Sequence, residues 1–106
     1  MDLLTKELQN YLLRMRYEPG NVSGRMEHYM EHLMHLLPAT DKEDLLHYFG
    51  IMGHEQWSLQ QIARLRDLTS EDMLARIDRN LRKLAVTPEW QLLAKAVADT
   101  RKPQNQ

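Results

Sequence analysis

At 106 residues the chain is one domain's worth of polypeptide, long enough to bury a core without disulfide or metal staples. Hydrophobic residues at 42% and charged residues at 27% describe neither a disordered nor a fibrous chain, and the absence of cysteine excludes a disulfide framework, thiol catalysis and iron–sulfur ligation. With 14 Lys and Arg against 15 Asp and Glu the net charge is −1, without the basic excess of a typical nucleic-acid binder. No apolar run exceeds three residues, and the start Met1-Asp2-Leu3-Leu4-Thr5 lacks the basic and apolar regions of a secretory signal. A cytoplasmic location is therefore expected.

Helical periodicity dominates from the first residues onward. Leu4, Leu8, Tyr11, Leu12 and Met15 predict a helix over 3–16, stopped by the turn chemistry of Glu18-Pro19-Gly20-Asn21. Ser23 is placed to cap a second helix, in which Met26, Tyr29, Met30, Leu33, Met34 and Leu37 form one apolar stripe ended by Pro38. Thr40 with Glu43 fits a capping box opening a short third helix, which carries Leu45, Leu46, Tyr48 and Phe49 up to Gly50. Gly50 to Trp57 reads as a loop.

Ser58 caps a fourth helix holding Leu59, Ile62, Ala63 and Leu65, and the break at Asp67-Leu68 precedes Thr69, the cap of a fifth. Met73, Leu74, Ile77, Leu81 and Leu84 are expected to face inward there, with Arg82 and Lys83 in a basic last turn that suits the helix dipole. Thr87-Pro88 starts a sixth helix, amphipathic through Trp90, Leu93, Ala94 and Val97. No strand pattern is found. The expected architecture is all-α, about six short helices in a single domain. It divides into an amino-terminal hairpin (1–37) suited to dimerisation or partner binding, a central unit (38–85), a carboxy-terminal helix (86–100) and a disordered tail (101–106). Charge is unevenly spread: residues 1–58 hold 5 basic and 9 acidic side chains, and 59–84 hold 6 and 4.

The stretch from Leu37 to Leu84 resembles region 4 of the bacterial sigma-70 family. The likeness rests on Leu37-Pro38, Tyr48-Phe49-Gly50-Ile51, Ser58-Leu59, Ile62-Ala63, Leu68-Thr69, Glu71 and the closing Leu81-Arg82-Lys83-Leu84. The resemblance implies a helix-turn-helix that reads promoter DNA, with Ala63 as the small residue at the helix crossing. On this reading Thr69, Ser70, Glu71, Arg76 and Arg79 face the groove, and Arg82 and Lys83 meet phosphate. The chain departs from the family pattern at five places: Asp67 replaces the usual turn glycine, Arg66 an apolar residue, Arg76 an inward aliphatic (with Ile77 one residue late), and Ser70 and Asp72 the arginines that commonly flank the glutamate. The acidic replacement Asp72 repels phosphates.

Other constellations have blander readings. His28-Tyr29-Met30-Glu31-His32 matches the arrangement of inverted zinc proteases, and His28, His32 and His35 share one helical face that is a weak metal candidate; the alternative is a solvated polar face opposite the methionine stripe. Met26, Met30 and Met34, and likewise Leu45, Leu46, Tyr48 and Phe49, serve either as core or as a partner-binding surface. No nucleophile–base pattern or phosphate-binding loop points to an enzyme, and no cofactor is implied. The expected function is a small bacterial transcription regulator engaging duplex promoter DNA, RNA polymerase or both, with a homodimer as one possible form. The alternative is a helical protein–protein interaction module that retains the scaffold without binding DNA.

Overall fold

The protein was analysed as a computed structural model, which describes residues 2–101 and the side chains of 2–97. These residues form six α-helices with no strand: α1 (Leu3–Tyr17), α2 (Gly24–Met34), α3 (Ala39–Phe49), α4 (Leu59–Leu65), α5 (Ser70–Ala85) and α6 (Pro88–Arg101). A single 3-10 turn at Pro19–Asn21 links the first two. Among the described residues no helix is long and apolar enough to cross a membrane. Of the expected tail, Arg101 closes α6, and 102–106 lie outside the described residues.

Local chemistry sets most boundaries. Asp2 caps α1, its carboxylate accepting from the Thr5 N–H at 2.8 Å. That bond, and to a lesser degree the charge of Arg82, holds the Asp2 carboxyl below the ordinary carboxylate range. Ser23 accepts from the Met26 N–H, and Ser58 and Gln61 form a reciprocal capping box on α4. Thr87 caps α6 through the Trp90 N–H, with Pro88 at the first helical position. At α3 the expectation fails: the helix begins one residue after Pro38, with no side-chain cap, and Thr40 lies inside it, exposed. Proline's fixed φ starts the helix before the hydroxyl can. Similarly, α2 stops at Met34, and Leu37 reaches the core from the turn that follows.

The buried apolar side chains form one cluster to which all six helices contribute, running through the boundaries expected near residues 37 and 86. Helix α5 lies at its centre, packed against α1, α3, α4 and α6. Helix α1 makes its main contacts with α5 and α6, and α2 with α6, so the first two helices are joined chiefly through others rather than as a hairpin. Trp90 of α6 ties this end together. Its indole is buried, lies 6.2 Å from the Tyr11 ring, and donates to the Leu4 carbonyl at 3.3 Å.

Met30, Met34, Leu45, Leu46 and Phe49 are buried, and Met26 and Tyr48 are half-buried, which takes this set out of consideration as an open partner surface. Leu74, expected to face inward, is exposed, as is Tyr29 in the stripe of α2. The loop after α3 is built rather than slack. Gly50 takes a left-handed φ of +64°, where a Cβ would stand 2.7 Å from that of Gln56, and the His47 ring stacks on Trp57 at 3.6 Å.

Candidate functional site

The turn between α4 and α5 decides how the would-be recognition surface is presented. Arg66 is the C-cap of α4, Asp67 follows with φ +58°, and two bonds close the turn. The Asp67 N–H donates to the Arg64 carbonyl at 3.2 Å and the Leu68 N–H to the Ala63 carbonyl at 2.8 Å, the pattern of a Schellman motif. Thus Asp67 occupies the left-handed position where glycine is usual, at a cost that a short polar side chain reduces but does not remove. Ala63 is buried, and α4 packs on α5.

Arg66 owes its unexpected identity to a partner in α3. Its guanidinium donates from Nε to both Asp44 oxygens at 3.1 and 3.0 Å, and from Nη2 to Asp44 Oδ1 at 2.7 Å. Asp44 is buried, at 3% exposure, whereas the Arg66 side chain retains 24%. The carboxylate reinforces the positive charge of Arg66. This fork fastens the α4–α5 turn to α3, and nothing in the local sequence of either partner reveals it.

Beyond the turn, Thr69 accepts from the Asp72 N–H at 3.1 Å, so its hydroxyl caps α5. Met73, Ile77, Asn80, Leu81, Leu84 and Ala85 are buried; Glu71, Asp72, Ala75, Arg79, Arg82 and Lys83 face solvent. Of the predicted groove-facing residues, Glu71 and Arg79 lie on the open face, while Ser70 and Arg76 are half-buried at its borders. The one-residue offset of Ile77 explains Arg76: Ile77 takes the core position, and Arg76 is turned to the flank.

The charges on this face are segregated. Its leading end carries Glu71 and Asp72, with Asp67 exposed in the turn before them. Its trailing end carries Arg79, Arg82 and Lys83, but Arg82 pairs with Asp78 at 2.8 Å and lies close enough to Asp2 to lower its pKa. Arg79 and Lys83 form no ion pair with the described residues. Acids at the start and bases at the end also match the helix dipole, which gives the arrangement a purely stabilising component.

The histidine face of α2 divides. His28 and His32 meet through their Nε2 atoms at 3.1 Å, whereas His35 Nδ1 is 3.4 Å from Lys42 Nζ. Among the described residues no three His, Asp or Glu side chains converge as a metal-binding set. The chain matches no family model, no curated protein and no solved structure.

Proposed function

We propose that this chain is a small regulator of bacterial transcription whose α4–α5 unit is a sigma region 4-like helix-turn-helix, and that the outer face of α5 binds a protein rather than duplex DNA. By the family resemblance, RNA polymerase is the partner. Support for the scaffold comes from the Schellman turn, the buried Ala63 and the separately capped helices. The observation that carries the protein-binding reading is the acidic leading end formed by Asp67, Glu71 and Asp72. A helix-turn-helix presents the first turns of its second helix to the groove. There a carboxylate about 4 Å from a phosphate meets roughly 1–4 kcal/mol of repulsion, depending on solvent screening. Two unpaired cations near the other end do not offset three such groups.

Purified RNA polymerase and a panel of labelled duplexes, titrated at about 50 mM salt, test the choice. Binding to polymerase without salt-sensitive binding to duplex is expected, and Asp72→Lys with Glu71→Lys should weaken it at least about tenfold. DNA binding remains the second reading, favoured by the unpaired Arg79 and Lys83. It is established instead if duplex affinity is found that falls steeply with salt and is reduced by Arg79→Ala and Arg76→Ala.

A further inference from the structure

The two histidines that meet on α2 are placed as a chelating pair. His28 and His32 stand one turn apart on the exposed face, where residues four apart are neighbours. Their Nε2 atoms are 3.1 Å apart, and the rings are perpendicular with centroids 4.5 Å apart. Between two neutral imidazoles such a contact is a hydrogen bond from one N–H to the lone pair of the other. Moving that proton to Nδ1 of its own ring, which is bonded to no described residue, frees both Nε2 lone pairs without changing the charge.

A cation about 2.05 Å from both nitrogens would see them at about 100°, between roughly 90° for a tetragonal site and roughly 109° for a tetrahedral one. It would set the ring centroids about 4.8 Å apart, a change that small side-chain rotations supply. The surroundings supply negative charge. Glu31 on α2 is exposed, as is Glu89 of α6, which borders the same groove as His32; neither forms an ion pair with the described residues, and Arg25 is the opposing charge one turn before His28. His35 shares the face in sequence but is drawn off to Lys42, so it is no third ligand. Imidazole nitrogens select Ni(II), Cu(II) and Zn(II) over Mg(II) and Ca(II).

We infer that His28 and His32 form a two-nitrogen site for a divalent cation of the Ni(II), Cu(II) and Zn(II) class, with water in its remaining positions. The inference is independent of what α5 binds. Half the ligands of a structural zinc site, with solvent beyond them, correspond to a Kd on the order of 1–200 µM. Calorimetric titration of the full chain, carrying no polyhistidine tag, with NiCl2, CuCl2, ZnCl2 and MgCl2 in separate runs tests it. One cation per chain is expected, Cu(II) tightest and Mg(II) without heat. Both His28→Gln and His32→Gln should weaken binding at least about tenfold, the loss that even an outer-shell partner causes at a metal site. Because both side chains are exposed, helical circular dichroism should not change. His35→Gln should bind as the wild type does. Absence of heat with Ni(II), Cu(II) and Zn(II) up to about 1 mM would overturn the assignment. So would binding that survives His28→Gln and His32→Gln, an equal loss from His35→Gln, or a site that takes Mg(II) as readily.

Discussion

Asp44 and Arg66 are the two side chains whose identities make least sense alone and most sense together. Asp44 is buried in the third helix between the charged run Asp41-Lys42-Glu43 and the apolar Leu45-Leu46, and Arg66 ends the fourth. Removing one partner leaves a buried charge uncompensated, a loss of about 3–5 kcal/mol. Arg66→Met is therefore expected to destabilise the fold by about 3 kcal/mol, read from urea denaturation. The double variant Asp44→Leu with Arg66→Met should come within about 1 kcal/mol of wild type, because the desolvation cost disappears with the pair. A double variant as unstable as the single one would mean that the fork contributes more than its own compensation.

At the scale of elements, the α4–α5 connection concentrates the departures from sequence expectation. Asp67 is held at φ +58° by the two bonds of the Schellman turn, so its conformation is imposed by its neighbours. Asp67→Gly is expected to stabilise the protein by about 0.5–1 kcal/mol, and Asp67→Val to destabilise it by more than that, both visible as shifts in Tm. The same glycine substitution removes one of the three acidic groups near the tip of α5. If the α5 face binds polymerase through those acids, the more stable variant should bind it less tightly. Stability and binding moving in opposite directions would separate the structural from the functional role of this residue. The caps at Ser58, Thr69 and Thr87 were legible because they act within three residues of themselves. The cap expected at Thr40 lost to Pro38, a competitor two positions away.

For the molecule as a whole, the decisive fact is that α5 is both the centre of the core and the bearer of the open charged face. Its buried side meets α1, α3, α4 and α6, so the exposed side is presented on a rigid helix rather than a loop. Trp90 links the last helix to the first. Trp90→Ala is expected to cost about 3–5 kcal/mol. Because one core joins all six helices, unfolding should remain a single transition by circular dichroism and by fluorescence of the remaining Trp57. Two separated transitions would show that α1 and α6 form a unit apart from the centre.

The sequence by itself determined the all-helical class, the number of helices and most of their limits. Those depend on 3.6-residue periodicity and on caps, which act between near neighbours. It also located the α5 face, since Thr69 and the run Met73, Ile77, Leu81 and Leu84 fix which side is buried. Only the tertiary structure decided that Arg66 turns inward to Asp44, that α2 lies on α6, and that Leu36, Leu74 and Leu92 remain uncovered. Those outcomes join residues far apart in the chain, and an apolar stripe states that a face seeks cover without naming what will cover it.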